Sequence, residues 1–431
     1  MYDLHELTFD PTNELRARYV DPPKFARIRS PVMITSMNHF LLVGSHPLLS
    51  LAEAASILGG EPPLVVEQLA LFERSSWDGA AIQKRLAGIV KTGDIFGSYP
   101  LSSFEATQLA DLIEALPRGN KVVFGISLFG HPKDKQKLKQ MPIQLKRTLQ
   151  ERGRSVRWFT GDQGTVSSAA VAKLELTTKG YDIQLIVDKG MVYVGLTTHV
   201  QDLDAWSLRD FGRPFRDATT GMLPPKLARL MVNLAGNVTA SKTLLDPFCG
   251  GGTVLMEGAL VGYTKQIGSD IDARQIAGSK ENLAWLTQAQ VLSKEKMEQV
   301  HVFVSPVETL ANTLSEKVDV IVTEGFLGKP LNGNESPAWL ERQKQELETL
   351  WQHAFQTFAK VQPVEGIVVA SIPRHRVQGH EVQINADKAA SANGYTRVNP
   401  LETWHKDGRE LGYAREDQRV ERRICVWKKT K

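Results

Sequence analysis

The chain has 431 residues, 42% of them hydrophobic and 23% charged, and a formal net charge of +4. These are ordinary values for a soluble globular chain of two to four domains, and no run approaches the roughly 20 apolar residues that a membrane helix needs. Two cysteines, Cys249 and Cys425, exclude a disulfide framework and fit a reducing cytosol; the N-terminus lacks the apolar core of a signal peptide.

The first 30 residues carry few periodic apolar positions and read as a loose arm. HFLLVG (39–44) is a buried strand, and HPLLSLAEAASILGG is a helix with Ser50 as its N-cap and Gly59-Gly60 as its stop. PLVVEQLALFE and GAAIQKRLAGIVKTG continue as helix or strand plus helix, with LVVEQ equally readable as a strand. EATQLADLIEAL (105–116) is an amphipathic helix closed by Pro117 and Gly119. KVVFGISLFG (121–130) opens a second α+β unit. Its last two β-runs, YDIQLIVDKG and MVYVGLTTHV, meet at the turn Asp188-Lys189-Gly190. Residues 201–222 form a charged connector, and Pro224 and Pro225 suit the first turn of the helix KLARLMVNLAG. Strand and helix then alternate through TLLDPF, GTVLMEGALVGY, KQIGSDI and ARQIAGSKENLAWL, and on to GIVVASI. That alternation predicts a doubly wound parallel sheet. YTRVNPLETWHK and RVERRICVWKK close the chain as a β-hairpin.

The strongest local signal is LLDPFCGGGTVLMEGAL (244–260): an apolar strand ending in Asp246, three glycines, then a helix from about Thr253. Glycines there let a ligand approach the backbone at the carboxyl edge of a parallel strand. Leu255 stands where a dinucleotide fingerprint has its third glycine, and no lysine precedes Thr253 as in a P-loop. An acid before the glycines repels a pyrophosphate but suits a ligand bearing a sulfonium and an ammonium, which points to S-adenosyl-L-methionine. Asp270 ends the next strand, placed to accept hydrogen bonds from ribose hydroxyls. The plainer alternative makes Asp246 and Asp270 turn or cap acids.

DPFCGGGTVLMEGALVGY and IGSDID resemble the first two motifs of amino-group methyltransferases. RDFGRPFRDATTGMLPPKLARLMVNLAG (209–236), with VYVGLTTHVQDLDAW before it and HFLLVGSHPLLSLAEAASILGG near the start, resembles the THUMP-bearing tRNA guanosine-N2 methyltransferases. The resemblance implies an α/β chain. It would have a ferredoxin-like α+β domain (1–118), a THUMP-like RNA-binding domain (119–200), a linker (201–225) and a Rossmann-like class I methyltransferase domain (226–431). It implies S-adenosyl-L-methionine held by Asp246, Phe248, Gly250, Gly252, Thr253, Asp270, Ile271 and Ser305. The partner would be tRNA or another structured RNA, with no membrane and with room for a small activating protein subunit.

Two departures stand out. The family's fourth motif, Asp-Pro-Pro-Tyr, corresponds to VDVIVTEGFLGKPL, with Glu324 for the Asp, Gly325 for the first Pro and Phe326 as the nearest aromatic. The third motif's adenine-contacting acid is absent, and Ser305 stands there with Glu308 three residues on. Methylating an exocyclic amine needs acceptors that turn its lone pair toward the methyl group and an aromatic face that fixes the base. Glu324 and Phe326 are the catalytic candidates; the alternative is a loop cap and a core residue. Lys329 is close enough in sequence to touch RNA phosphate.

Between His131 and Arg157 nine Lys/Arg residues stand against two acids. Lys133, Lys135, Lys146 and Arg147 are candidate phosphate contacts, against the alternative of a solvated helix face. Arg209, Arg213 and Arg216 have two readings: contact with RNA or the donor carboxylate, or pairing with Asp210 and Asp217 to pin domains together. Cys249 reads as a packed thiol, and no His/Cys cluster has metal spacing. The leading expectation is in-line methylation of guanosine N2 in tRNA. The rivals are an amine methyltransferase for DNA and a non-catalytic RNA-binding protein on a decayed methyltransferase fold.

Overall fold

The computed structural model describes residues 36–119, 121–161, 164–217, 222–239, 241–289, 291–297, 299–404, 409–414 and 418–431; the expected N-terminal arm lies outside them. The N-terminal half comprises β1 (His39–Val43), α1 (Pro47–Leu58), β2 (Leu64–Val66), β3 (Leu69–Phe72), α2 (Gly79–Arg85), β4 (Ile89–Pro100) and α3 (Ala106–Ala115). It continues with β5 (Lys121–Phe129), α4 (Pro132–Leu138), α5 (Met141–Glu151), β6 (Ser155–Phe159), α6 (Ser168–Lys173), β7 (Tyr181–Asp188) and β8 (Met191–Val200). One eight-stranded sheet in the order β2-β3-β1-β4-β8-β7-β5-β6 carries them all. β8 pairs with β4 on one side and β7 on the other, so the sheet runs unbroken across position 118/119.

Two local expectations change. α1 starts at Pro47 with His46 at its N-cap, because proline fixes the first helical φ and lacks the amide hydrogen that would be orphaned there. Ser50 is therefore inside the helix and donates its hydroxyl to the His46 carbonyl at 2.9 Å. PLVVEQLALFE is the hairpin β2–β3, turning at Glu67 with φ 52°; pairing of β3 with β1 outweighs any helical tendency.

The connector contains a helix. α7 (Leu203–Phe211) is capped by Asp202, whose carboxylate accepts from the Ala205 amide. Then come α8 (Pro225–Leu234), β9 (Thr243–Asp246), α9 (Thr253–Val261), β10 (Lys265–Asp270), α10 (Ala273–Gln288), β11 (Val300–Val304), α11 (Leu310–Thr313), β12 (Val320–Glu324) and α12 (Pro337–Val361). The chain closes with β13 (Ile367–Val377), β14 (His380–Gln383), α13 (Ala386–Ala392), β15 (Tyr395–Val398), β16 (Leu411–Tyr413) and β17 (Val420–Lys429). The second sheet runs β11-β10-β9-β12-β13-β17-β15, with β14 on β13 and β16 on β17. β11 to β13 are parallel in this order and β17 is antiparallel, inserted between β13 and β15. Helices cover both faces; α8 and α9 pack on one, and α12 with its buried Trp351, Phe355 and Phe358 on the other.

The two halves are joined through buried polar groups. Glu53 of α1 is fully buried and accepts hydrogen bonds from the amides of Ala87 and Gly88 at 2.8 and 2.7 Å and from Asn233 Nδ2 of α8 at 2.6 Å. Arg209 and Arg229 both bind Glu257 and lie over the Trp206 ring. Arg209 thus pins α7 to α9. Glu53→Ala should destabilise the protein by about 3 kcal/mol or more, since each orphaned buried donor costs about 1–3 kcal/mol. A urea midpoint that falls at constant m-value is the expected readout, and an unchanged midpoint would contradict this account of the joint.

Candidate active site

From β9 the chain runs outward through β10 to β11, then returns to β12 on the opposite side of β9. Loops leaving in opposite directions open a crevice beyond the carboxyl ends of the strands. A cavity of about 360 Å³ fills this crevice, large enough for a small-molecule ligand. Asp246, Phe248, Gly250 and Thr253 line it after β9, Asp270 and Ile271 after β10, and Glu324 and Phe326 after β12. Eight of the ten residues expected at the donor and catalytic sites therefore meet in one place.

The other two do not line it. Gly252 shapes the bend from behind: its φ is 79°, and a Cβ there would lie 2.4 Å from Ser279 Oγ on α10. Ser305 is buried and donates its hydroxyl to the Pro306 carbonyl at 3.0 Å. It serves the turn after β11, which withdraws it from the expected adenine contact.

Asp246 is 2% exposed and accepts from Thr323 Oγ1 at 2.6 Å and from the Phe248 amide at 3.2 Å. Burial pushes its carboxyl up to about 7, with Asp270 and Glu324 adding to the rise. Asp270 accepts from the Gly250 amide at 3.0 Å and the Asp272 amide at 2.9 Å. It ties the glycine bend to the start of α10. Both acids thus do the turn work of the plainer reading while also facing the cavity. Cys249 is packed, and burial pushes its thiol well above the ordinary range.

A wall that the sequence reading placed in the linker closes the cavity from above. Arg213 is 3% exposed, lines the cavity and donates to Thr253 Oγ1 at 2.6 Å. It lies too deep to reach RNA phosphates at the surface, and a terminal nitrogen is 3.9 Å from Asp210 Oδ1, so the pairing alternative is present beside its cavity-facing position. Asn282 of α10 holds both backbone groups of Phe215 and donates to the Gly251 carbonyl at 2.8 Å. Asp217 accepts from Arg274 and from Gln275. FGRPFRD was legible as charged and aromatic; its clamp on the glycine bend needs α10 folded beneath it. Arg216 lies 5.5 Å from the Phe211 ring.

The acceptor side is built around the end of β12. Gly325 runs so close to Trp351 that a Cβ would meet its ring at 2.9 Å, which leaves little room for any side chain there. Phe326 is 53% exposed at the cavity wall, so it is not a core residue. The loop beyond is fixed by His375 Nε2, 2.8 Å from the Leu327 carbonyl, and by Gln343, which accepts from the Lys329 amide at 3.0 Å. Lys329 is exposed beside it. Glu324 is held by Arg422 of β17, Nε to Oε2 at 2.6 Å and a terminal nitrogen to Oε1 at 3.1 Å. No sequence signal singled out Arg422 or His375.

On the N-terminal unit, Lys133 and Arg147 are exposed on α4 and α5 and Lys146 is half-buried. Lys135 pairs with Glu67 at 2.7 Å, and Arg152 pairs with Asp111 and Glu114. Part of the basic excess is therefore balanced within the fold. Among the described residues no group of His, Cys, Asp or Glu is arranged to hold a metal ion, and no helix is long and apolar enough to cross a membrane.

Strand order, glycine bend and acid-tipped strands define a Rossmann-like class I methyltransferase domain. Residues 213–377 match the model of the UPF0020 family, described as an RMKL-like methyltransferase domain. The match begins at Arg213, within the clamp over the glycine bend. The chain is similar to the tRNA (guanine(10)-N2)-dimethyltransferase of Methanothermobacter thermautotrophicus, 40% identical over 118 residues, which are 27% of this chain and 30% of that one. To the enzyme of the same name from Methanocaldococcus jannaschii it is 32% identical over 168 residues, 37% and 44% of the two chains. To the U6 snRNA (guanine-N(2))-methyltransferase THUMPD2 of Bos taurus it is 31% identical over 130 residues, 30% and 23% of the two. The chain thus aligns with less than half the length of these curated relatives. The crystal structure of TrmN from Thermus thermophilus shares the fold, with a TM-score of 0.50 over 91% of this chain and 99% of that one at 16% identity. The resemblance to THUMP-type guanine-N2 methyltransferases read from the sequence is borne out.

Proposed function

We propose that this chain transfers a methyl group from S-adenosyl-L-methionine to an exocyclic amine of RNA, with N2 of a guanosine in tRNA as the target. The observation that carries the reading is the meeting of Asp246, Asp270 and Glu324 at the tips of three adjacent parallel strands around one cavity. The residues present fit the donor. Gly250 and Gly251 line the cavity without side chains, the Arg213 Nε is buried without a partner, and Asp246 is a buried carboxyl on the cavity wall that a neighbouring cation would ionise. Asp246 would hold the ammonium end, Arg213 the carboxylate and Asp270 the ribose hydroxyls. The donor supplies an electrophilic methyl on a sulfonium, whose carbon–sulfur bond pair stays with sulfur as the amine nitrogen bonds carbon. Glu324 would accept a hydrogen bond from the amine, aim the lone pair and stabilise the positive charge that develops on nitrogen, from which the surplus proton then leaves to water. Phe326 would stack on the base. The exposed Lys133, Arg147 and Lys329, with Lys146 and Arg216, would meet phosphates, and the N-terminal sheet would be the RNA-binding part. The domain limits at 118, 200 and 225 remain part of this proposal, as does a cytoplasmic location.

The cation sets a pH dependence. A ligand cation beside Asp246 favours its ionised form, so binding below about pH 7 must expel the proton held there. Donor affinity is expected to fall roughly fivefold from pH 7 to 6 and about tenfold more by pH 5, and Asp246→Asn should flatten the curve. Calorimetry in buffers of different ionisation enthalpy reads the released proton; a pH-independent affinity in the wild type would contradict the assignment.

The function itself is tested with methyl-labelled donor, unmodified tRNA and duplex DNA. Label in tRNA is expected. Label in DNA alone, or intact donor binding with no transfer, would overturn the reading.

A further inference from the structure

We infer that Arg422 is a positioning residue for methyl transfer: it aims the Glu324 carboxylate into the cavity, with Ser371 as a second support. The inference rests on the reading of Glu324 as the amine's acceptor. Three neighbouring strands contribute one residue each. Glu324 ends β12, Ser371 stands opposite it on β13, and Arg422 projects from β17, where its backbone faces Pro373. The guanidinium grips both carboxylate oxygens, Nε to Oε2 at 2.6 Å and a terminal nitrogen to Oε1 at 3.1 Å. Ser371 Oγ adds a third bond to Oε2 at 3.1 Å. Both members of the ion pair are nearly dry, their side chains 8% and 11% exposed.

A carboxylate oxygen has about two acceptor sites. Oε2 uses two, for Arg422 and Ser371, whereas Oε1 uses one and keeps the other. Oε1 is therefore the oxygen left to take a hydrogen from a ligand amine. A glutamate side chain has three torsions and wanders unless held; a two-point fork fixes both its place and its plane. Since a displacement of about 1 Å at a reacting group costs on the order of 10²-fold in rate, the fork matters for chemistry. Arg422 does not line the cavity, so it acts through Glu324.

The sheet does not need this arginine to stay assembled. β17 is paired with β13 from Ile367↔Lys428 to His375↔Val420 and buries Ile424, Cys425, Val426 and Trp427. Its neighbour Arg423 is engaged elsewhere, with Glu410. Arg422 alone of that run reaches Glu324.

The test is single-turnover methylation of tRNA by the full chain carrying R422Q, R422K or S371A, each also in an E324Q background. R422Q should lower the chemical rate by about 10²-fold with donor Kd and tRNA affinity unchanged. R422K should restore part of the rate, and S371A should cost about fivefold. In the E324Q background R422Q should cost under about threefold more, because the carboxylate charge whose placement Arg422 fixes is already gone. A wild-type rate in R422Q, or losses that multiply with those of E324Q, would overturn the inference. Should R422Q fail to fold, R422K and S371A decide on the same criteria. A wild type that transfers no methyl group refutes the reading beneath the inference and takes the inference with it; an active wild type with an indifferent Arg422 refutes the inference alone.

Discussion

Glu324→Gln is expected to lower the rate of methyl transfer by about 10²–10³-fold, the usual loss when one preorganised group facing a developing charge is neutralised. The amide keeps the size of the side chain and a carbonyl that Arg422 can still bind. The change therefore removes charge more than shape. The residues proposed to hold the donor, Asp246, Asp270 and Arg213, sit on β9, β10 and the clamp, not on β12, so donor affinity should move by less than about threefold. The split is the diagnostic: a loss in rate without a loss in donor binding marks an interaction made in the transition state. Rapid-quench turnover with calorimetric donor titration reads both. A Gln variant with a near wild-type rate would return Glu324 to the role of loop cap.

The second large effect belongs to Asp270. Its two oxygens already accept the Gly250 and Asp272 amides, so the side chain both shapes the bend and faces the cavity. Hydrogen bonds to a charged group contribute about 1.5–3 kcal/mol each. Asp270→Ala should therefore weaken donor binding by roughly 10²-fold or more through loss of the ribose contacts, with further loss as the bend relaxes. Asp270→Asn, which keeps one acceptor, should fall between. Unchanged donor affinity in the alanine variant would leave Asp270 a turn acid only.

The donor half of the site was legible because its residues are close in sequence. Strand, Asp246, glycines, helix, strand and Asp270 follow one another, and each has a local reason for its residue type. The same proximity carried Phe248, Thr253 and Ile271. What escaped depends on chain returning from far away. Phe215 and Asp217 line the cavity because α10 supplies Asn282, Arg274 and Gln275 as their partners. Arg213 stayed open between a contact with RNA or the donor carboxylate and an ion pair that pins domains, since charge in a connector says nothing of burial. Arg422 meets Glu324 because β17 inserts antiparallel beside β13, a topological choice invisible in the motif. Ser305 illustrates the reverse: its place in the chain was right for a ligand contact, but its hydroxyl is satisfied by the turn at Pro306. In the N-terminal half, β2–β3 was ambiguous for a physical reason. A short apolar run has no periodicity to separate strand from helix, and pairing with β1 decides.

Nucleoside mass spectrometry of unmodified tRNA, before and after incubation with the protein and S-adenosyl-L-methionine, bears most directly on the crevice where the three acids meet. N2-methylguanosine that rises with time and is lost in the Glu324→Gln variant is the expected result. Methylation of some other nucleoside, or equal N2-methylguanosine from wild type and variant, would contradict it.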